Sequence, residues 1–336
     1  MTTSPDPVKH ASRPTWPWLT VALLFLGIAI TDPVLRLKPP TFRYLFAIDI
    51  TQSMNVSDMH LAGIEVSRLE YAKSMVETAT RSLPCGSEAG LAIFAAHRTL
   101  VLFSPVEVCA NFQALSEMLK KINWRMAWTA RSEVSKGLYS AIEAAGQIMN
   151  DTRLVFLTDG HEAPPLNRDI LPPFSTGADI AGFIVGVGGT TPSRIPHLDE
   201  QGNVVGYWSH SEVLQVDVHS LGRPTSGNGE AMVGVNMADV ARRIMLGQEH
   251  LSSLREPHLR ELAARTGLDY VRLDSASTFV EKLHKETYAR RIPVETATGW
   301  LPASLAFACL VHCLIAIPWF HRIRRNRHSL RSPEPI

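Results

Sequence analysis

Continuous apolar runs alternate with helical periodicities through the middle of the chain. Such runs are typical of strands that a parallel sheet covers on both faces. They predict strands at 44–48, 154–158, 180–187 and 270–273. The apolar runs at 90–95 and 99–103 are separated only by residues around His97 and Arg98, and this short spacing predicts an antiparallel hairpin.

Apolar residues recur at helical spacing between these strands. Ser67, with Glu70 three residues later, forms a capping-box pattern that predicts the start of one helix, and Pro84 and Gly86 predict its end. Further helices are predicted at 111–122, 132–149, 258–266 and 277–286. Strands that alternate with helices predict an α/β fold. Its sheet is doubly wound, mostly parallel and Rossmann-like, with one antiparallel edge strand.

Residues 190–256 interrupt this alternation. Their periodicity is weak, and they are rich in Gly, Pro, Ser and His. A loop of this length is uncommon inside a compact domain. We therefore predict an insertion with a small hairpin around Gly202. It divides the core into a first part at 43–189 and a last part at 257–288.

Apolar segments also lie near both ends of the chain. The segment 16–31 predicts a transmembrane anchor, and the longer segment 298–320 predicts a transmembrane helix. A signal peptide is the alternative for the first segment, although Ala29-Ile30-Thr31-Asp32 is a poor cleavage sequence. The α/β core is thus predicted to be flanked by two transmembrane helices.

Four arginines follow the second apolar segment: Arg322, Arg324, Arg325 and Arg327. By the positive-inside rule, this cluster places the C-terminus in the cytoplasm. Two spans then make 1–15 and 321–336 cytoplasmic tails, and they put a linker at 32–42 and the core in the periplasm of a bacterial inner membrane. Since topology accounts for the arginines and the formal net charge is only +1, no nucleic-acid partner is expected.

The four cysteines divide by location. Cys309 and Cys313 lie in the second apolar segment, one helical turn apart, and are expected to be packing residues. Cys85 and Cys109 lie in the predicted periplasmic domain, where oxidising conditions permit a disulfide. Because a sequence does not give the distance between them, the bonded and free states both remain open.

Oxygen-bearing side chains follow two of the predicted strands. Asp49, Thr51 and Ser53 alternate, so an extended chain directs all three to one side. Asp159 follows the strand at 154–158, and strand carboxyl ends form the ligand-binding rim of a doubly wound sheet. These hard ligands predict a solvent-facing Mg²⁺ or Mn²⁺ site, with Ca²⁺ as an alternative ion.

These elements resemble the von Willebrand factor A (vWA) domain with its metal-ion-dependent adhesion site. The resemblance rests on Asp49-x-Thr51-x-Ser53, on a hydroxyl before the third helix, and on Asp159 between a threonine and a glycine; it covers 43–288 apart from the insertion. It implies that hydroxyls ligate the metal directly and that carboxylates do so directly or through water. One position then remains open for an acidic residue of a protein partner.

The hydroxyl before the third helix has two candidates, Ser132 and Thr129. Members of the vWA family commonly carry this ligand five residues before a Gly-Leu or Gly-Ile pair, and counting back from Gly137-Leu138 reaches Ser132. Ser132 is also expected at the N-cap of that helix, beside the rim. Thr129 is the alternative ligand if the loop folds back.

Four segments resemble, in amino-acid sequence, the L-type accessory protein of bacterial methanol-oxidation gene clusters. They are 45–54, 83–87, 124–128 and 250–255. The resemblance implies a role in maturing methanol dehydrogenase, at calcium insertion, with that enzyme or other accessory proteins of its cluster as partners. Two spans around a periplasmic vWA domain also resemble proteins encoded beside MoxR-type AAA+ ATPases. The alternative function is therefore general assembly of envelope proteins with such an ATPase on the cytoplasmic side.

The candidate site offers few groups for catalysis. His161 and Glu162 are its only local candidates for a base or nucleophile, and we expect both to be solvated loop residues. The chain is therefore predicted not to be an enzyme, with a metal-dependent hydrolase as the less favoured alternative.

A partner-binding patch is predicted beside the rim. Trp124, Arg125 and Trp128 immediately precede the third helix, and interfaces favour Trp and Arg. Glu162 is a further candidate for partner contact. The alternative for the two indoles is ordinary packing against the edge of the sheet.

Overall fold

The computed structural model describes residues 16–149, 151–165, 180–213 and 245–316. The chain divides into two units. The larger unit is Pro40–Arg291, and the smaller unit combines Met1–Pro39 with Ile292–Ile336. The candidate site lies entirely in the larger unit.

The described strands and helices follow in chain order. The strands are β1 (Val34–Leu37), β2 (Arg43–Asp49), β3 (Ser57–Leu61), β4 (Ile64–Ser67), β5 (Glu88–Ala95), β6 (Arg98–Glu107), β7 (Arg153–Thr158), β8 (Gly182–Gly186), β9 (Ser193–Arg194), β10 (Pro196–Leu198), β11 (Val204–Tyr207), β12 (Leu251–Ser252), β13 (Asp269–Arg272) and β14 (Val294–Ala297). The α-helices are α1 (Trp16–Ile30), α2 (Arg68–Ser82), α3 (Val108–Lys121), α4 (Val134–Ile148), α5 (Glu256–Thr266), α6 (Ala276–Leu283) and α7 (Trp300–Val311).

A six-stranded sheet forms the centre of the larger unit. Its strand order is β13-β8-β7-β2-β5-β6. Every neighbouring pair is parallel except β5 and β6, which form the predicted antiparallel hairpin at the edge. The prediction of an α/β fold with a mostly parallel sheet and one antiparallel edge strand is confirmed.

Both faces of this sheet are covered by helices, which explains the continuous apolar runs. On β2, Tyr44, Phe46 and Ile48 join the hydrophobic cluster beneath α2, α3 and α6. Leu45 and Ala47 point to the opposite face and join the cluster beneath α4 and α5. All five side chains are fully buried. Because both faces of such a strand are buried, polar residues do not alternate with apolar ones along it. The sequence therefore does not show the two-residue period of a strand.

The two ends of the larger unit are hydrogen-bonded to each other. Thr41 N donates to Arg290 O (2.9 Å), and Arg290 N donates to Thr41 O (2.6 Å). The Arg290 side chain then pairs with Glu88 and Asp151, both near the amino ends of strands. The chain therefore joins and leaves this unit at the amino ends of the central strands, opposite the candidate site.

A disulfide connects Cys85 and Cys109, which decides the question that the sequence left open. Their Cα atoms are 5.3 Å apart, within the usual range for a disulfide. Cys85 follows α2 and Cys109 lies in the first turn of α3, so the bond ties two helices that cover the same face.

The predicted insertion contains short strands where it is described. β10 and β11 form an antiparallel hairpin, and Gly202 between them has a φ of +88°, a conformation that glycine adopts without strain. The hairpin around Gly202 is thus confirmed. β9 pairs with β12, which closes the inserted segment. The rest of the predicted insertion, 214–244, lies outside the described residues.

The smaller unit contains two apolar helices and a two-stranded sheet. α1 packs against α7, and β1 pairs antiparallel with β14, a pairing that the sequence did not suggest for the predicted linker. Among the described residues, no helix is both long enough and apolar enough to cross a membrane. The two predicted transmembrane helices are therefore not supported here. The end of the predicted span 298–320 and both predicted tails, 1–15 and 321–336, extend outside the described residues.

Candidate metal site

The carboxyl end of β2 provides the first group of oxygens. Asp49 is the last residue of the strand, and the chain then turns into a short 3₁₀ helix at Gln52–Asn55. Thr51 N donates to Asp49 Oδ1 (2.9 Å), which fixes the turn and the carboxylate together. The hydroxyls of Thr51 and Ser53 lie 3.3 Å apart. The predicted convergence of these three side chains is therefore present.

Asp159 follows β7, the parallel neighbour of β2. The register pairs Ile48 with Leu157, so the residues after both strands reach the same rim. The two strands are also linked through side chains, since Thr158 Oγ1 donates to Asp49 Oδ2 (2.6 Å). Asp159 Oδ1 accepts from His161 N (2.9 Å). The sheet topology thus brings Asp49 and Asp159 together, as the strand pattern predicted.

A buried arginine occupies the centre of this rim. Arg68, the first residue of α2, is fully buried, and its Nη1 lies 2.6 Å from Asp159 Oδ2. The same nitrogen donates to Ser252 Oγ (2.7 Å), and Ser252 Oγ donates to Asp159 Oδ2 (2.9 Å). On its other edge the guanidinium pairs with Asp58, at 2.6 Å from Nη2 to Oδ2.

Sequence reasoning missed Arg68 as a site residue. The local pattern gave it only as a residue of the capping box, and the N-cap half of that box is present, since Glu70 N donates to Ser67 Oγ (3.1 Å). The available signal was an arginine at the first position of a helix, where the helix dipole disfavours a positive charge. An arginine there is expected to have acidic partners elsewhere in the fold.

The two carboxylates of the rim have opposite electrostatic environments. Burial, followed by repulsion from Asp159, raises the pKa of Asp49 to about 7. Burial also acts to raise the pKa of Asp159, but Arg68 and the hydrogen bonds around it outweigh burial and hold that pKa below its usual value. Within the described residues, no positively charged side chain pairs with Asp49. The rim therefore contains one compensated and one uncompensated carboxylate.

Ser132 lies close to this rim but not in the predicted role of N-cap. Its backbone pairs with Ala163, and its hydroxyl donates to His161 O (2.8 Å). The N-terminus of α4 is instead capped by Glu162, whose carboxylate accepts from Val134 N and Ser135 N, each at 2.9 Å. The N-cap prediction for Ser132 was wrong because a residue from a different loop does the capping.

Glu162 and His161 are both buried, which corrects the expectation that they are solvated. Glu162 also accepts from Ser135 Oγ (2.8 Å) and lies 3.1 Å from His258 Nε2. His161 is 1% exposed, and its Nε2 lies 3.1 Å from Glu249 O. Burial lowers the pKa of His161, so its ring is neutral at physiological pH. Because Glu162 holds the N-terminus of α4, it is not exposed to a partner.

The predicted aromatic patch separates into different environments. Trp124 packs against the hydrophobic core, as the packing alternative proposed, whereas Trp128 is 50% exposed. Arg125 is exposed, and its Nη1 donates to Glu200 O in the β10–β11 loop (3.0 Å). Of the two indoles, Trp128 is therefore the one accessible to a partner.

Access to the predicted metal ligands is narrower than the prediction of a solvent-facing rim suggests. Asp49 and Asp159 are fully buried, and Thr51, Ser53 and Ser132 are each 2% exposed. A cavity of about 230 Å³ reaches the site beside Ser53. Its lining includes Thr129, Arg131, His161, Trp208 and Glu212. Trp208 and Glu212 belong to the insertion, which thus partly covers the rim. Thr129 shares this cavity with Ser53, so it remains the alternative ligand.

The oxygen set fits a small divalent cation. Neighbouring ligands of an octahedral ion bound at ~2.1 Å lie roughly 3 Å apart, close to the 3.3 Å between the Thr51 and Ser53 hydroxyls. Asp49 is buried without a positive partner among the described residues, and burying such a charge is unfavourable. A dication at this place would supply the missing charge. The fit rests on Asp49, Thr51 and Ser53, because Asp159 already has Arg68.

Comparison with known proteins supports the family prediction for part of the chain. Residues 44–161 match the family model described as the von Willebrand factor type A domain. This stretch contains β2, the β5–β6 hairpin, α4 and β7. It therefore includes Asp49, Thr51, Ser53, Arg68, Ser132 and Asp159. This match supports a vWA domain within residues 44–161. A search of curated proteins finds no match.

Several solved structures are similar at low sequence identity. An aerotolerance-related membrane protein from Bacteroides fragilis NCTC 9343 is 16% identical, with 73% of this chain and 98% of that chain covered and a TM-score of 0.44. The conserved hypothetical protein BatB from Bacteroides thetaiotaomicron is 16% identical, with 73% and 97% covered and a TM-score of 0.45. A von Willebrand factor type A protein from Catenulispora acidiphila is 12% identical, with 81% and 44% covered and a TM-score of 0.37. Likenesses at this level carry no argument about function.

Proposed function

We propose that this vWA-domain protein binds an acidic protein partner through a divalent metal, Mg²⁺ or Mn²⁺, held at the rim. Asp49, Thr51 and Ser53 would hold the ion, with Ser132 or Thr129 as a further hydroxyl ligand. The bound ion would supply a Lewis acid for a partner carboxylate. The observation that carries the proposal is Asp49, a buried carboxylate that has no positive partner among the described residues and lies beside two converging hydroxyls.

The surroundings of the site favour binding over catalysis. Glu162 is committed to the N-terminus of α4, and His161 is buried against a backbone carbonyl. A hydrolase needs a base that can reach a water or substrate. The cavity beside Ser53 instead offers a confined route for one side chain of a partner, with Arg131 in its lining as a positive group.

The specific role that we propose is maturation of methanol dehydrogenase, at calcium insertion. It rests on the similarity of 45–54, 83–87, 124–128 and 250–255 to the L-type accessory proteins. Assembly of other envelope proteins together with a MoxR-type ATPase is the alternative. The partner distinguishes the two roles, because only the first requires methanol dehydrogenase itself.

We further propose that the protein is attached to the inner membrane, with the vWA domain in the periplasm. The support is chemical: α1 and α7 expose large apolar side chains, among them Leu23, Leu24 and Phe307. Arginines follow at 322–327, and the Cys85–Cys109 disulfide suits an oxidising compartment. Alkaline phosphatase fused after residue 290 should be active and fused after 336 inactive; the reverse result would exclude this topology.

The test of metal-dependent capture uses the full-length chain in detergent. Immobilised wild-type protein should retain purified methanol dehydrogenase in Mg²⁺ and release it in EDTA, and Asp49→Ala should fail to retain it in either. Asp151→Asn, at the opposite end of the sheet, is the matched carboxylate control and should behave as wild type. Capture that is equal with and without divalent ions would reject the metal-mediated mechanism. Metal-dependent capture of other envelope proteins, but not of this enzyme, would favour the alternative role.

A further inference from the structure

Arg68 gives the two rim aspartates different tasks. We propose that it holds Asp159 as a charge-paired, anchored carboxylate and leaves Asp49 to bring the uncompensated negative charge to a bound cation. Its own positive charge then limits cation affinity and keeps the bound ion electron-poor toward an incoming acidic side chain. This inference rests on the proposed metal site and assigns a positioning residue to it.

The contacts of Asp159 are already satisfied by the protein. Oδ2 accepts from Arg68 Nη1 (2.6 Å) and from Ser252 Oγ (2.9 Å), and Oδ1 accepts from His161 N (2.9 Å). Arg68 and Asp159 are both fully buried, so this ion pair is sheltered from water and salt. An ion pair of this kind fixes a carboxylate in one orientation.

Arg68 is itself held from several sides. Asp58 accepts from Nε at 3.0 Å and from Nη2 at 2.6 Å, and Ser252 O lies 3.2 Å from Nη2. The backbone leaves room for the guanidinium only because residue 188 is glycine, since a Cβ there would lie 2.6 Å from Arg68 Nε. Gly189 N also donates to Asp58 Oδ2 (2.9 Å). These contacts fix the guanidinium, and hence its positive charge, at the rim.

Asp49 is bound only by neutral donors among the described residues. Thr51 N and Thr158 Oγ1 donate to its two oxygens at 2.9 and 2.6 Å. Two rim carboxylates and one guanidinium therefore leave about one negative charge for a dication, rather than two. Asp58 lies on the far edge of Arg68 and is 15% exposed in its side chain, so water screens part of its charge.

The decisive variants change the charge of residue 68. Arg68→Gln removes the repulsion and should bind Mn²⁺ about tenfold more tightly than wild type, because a full positive charge is lost next to Asp159 and Ser53, beside the proposed ion. Arg68→Lys keeps the charge, although one ammonium group cannot make all of the guanidinium's hydrogen bonds, and its Mn²⁺ affinity should stay near that of wild type. Titration calorimetry of the full-length chain in detergent, with electron paramagnetic resonance of free Mn²⁺ as a second readout, measures both affinities.

A second variant acts from the opposite direction and keeps Arg68 in place. Asp58→Asn removes the negative charge that partly neutralises the Arg68 guanidinium. The repulsion between Arg68 and the cation then increases, so Mn²⁺ should bind several-fold more weakly than in wild type. This variant decides the question alone if melting and near-UV circular dichroism show that Arg68→Gln does not fold. Asp151→Asn, far from the rim, controls for a general effect of removing an acid.

The outcomes separate this inference from the proposed function. A wild-type chain that binds no Mn²⁺ overturns both. Wild-type binding, together with equal or weaker binding by folded Arg68→Gln, overturns the role of Arg68 and leaves the metal site intact. If Arg68→Gln is unfolded, unchanged affinity in Asp58→Asn overturns it equally. Tighter binding by Arg68→Gln with wild-type affinity in Arg68→Lys supports it.

Discussion

Two clusters of charged side chains lie at opposite ends of the central strands. At the amino ends, Arg43 and Arg290 pair with Glu88 and Asp151, two positive groups with two negative ones. We call this set the amino-end cluster. At the carboxyl ends, the rim cluster has Asp49, Asp58 and Asp159 but only Arg68. Among the described residues, the same sheet therefore carries one balanced cluster and one with a formal excess of negative charge.

This difference is the one expected between a structural cluster and the proposed metal site. In the amino-end cluster each charge finds its counter-charge within the protein, and Arg43 and Arg290 hold the pKa of Glu88 below its usual value against the effect of burial. In the rim cluster the pKa of Asp49 is raised. A buried group with a strongly perturbed pKa, beside a cavity, is a candidate functional group. We therefore expect the first cluster to stabilise the fold and the second to leave charge for the proposed cation.

The strongest test of the comparison removes one acid from each cluster. Asp49→Asn should weaken Mn²⁺ binding by about a hundredfold or more, because it deletes the uncompensated carboxylate at the ion. Calorimetry with the full-length protein measures the loss. Asp151→Asn should leave Mn²⁺ affinity unchanged. A comparable loss in both variants would mean that the two clusters do not differ in their contribution to cation binding.

The pH dependence of metal binding should reveal the same asymmetry. The pKa of Asp49 is raised to about 7, so a proton competes with the cation below that pH, and Mn²⁺ affinity should fall about tenfold per pH unit from 7 to 5. Without divalent ions, the raised pKa implies stability that is present at low pH and lost as pH rises toward 7. The lowered pKa of His161 acts in the opposite direction, so the informative quantity is the difference between two variants. Raising the pH from 5 to 8 should lower the melting temperature of the metal-free wild type relative to that of metal-free Asp49→Asn.

A change in the amino-end cluster should act on stability alone. Arg290→Met removes pairs with Glu88 and Asp151, both at 3.1 Å, and leaves those acids with fewer partners. Because the acids are partly exposed, we expect the free energy of unfolding to fall by about 2 kcal/mol, less than for a fully buried pair. Chemical denaturation measures this change. Mn²⁺ affinity of the same variant should equal that of wild type, and a clear decrease would contradict the separation of the clusters.

The smallest expected effect identifies the remaining hydroxyl ligand. Ser132→Ala should weaken Mn²⁺ binding by roughly fivefold, since a neutral ligand contributes less than a carboxylate. Thr129→Ala should leave the affinity unchanged. Ser132 is not the N-cap of α4, so no loss of helix capping complicates the comparison. If Thr129→Ala alone weakens binding, the cavity-lining threonine is the ligand.

The fold and half of the rim could be predicted from sequence because their signals are local. Buried strands such as β2 and β7 are nearly continuous apolar runs, and Asp49, Thr51 and Ser53 follow the first of them directly. The β3–β4 hairpin was missed because its strands are short and mixed in polarity. Its turn is nevertheless marked by Gly63 with a φ of +84°.

The other half of the rim depends on contacts between distant parts of the chain. Arg68 meets Asp159 and Ser252, which are 91 and 184 residues away in sequence. Glu162 caps a helix that starts 28 residues before it. Neither periodicity nor spacing in the sequence identifies partners that lie so far apart. The sequence therefore suggested solvated loop residues where the structure has buried ion pairs and helix caps.

The joined ends of the larger unit have a mechanical consequence. Thr41 and Arg290 exchange two backbone hydrogen bonds at the amino end of the sheet, whereas the rim lies at the other end. Thr41 leads directly into β2, so load between a partner at the rim and this end of the unit would run lengthwise along β2 and would be borne by its hydrogen bonds to β5 and β7. Load that pulls the two ends of the unit apart would instead act directly on the two Thr41–Arg290 bonds. The larger unit should therefore resist force along its strands better than force that separates its ends.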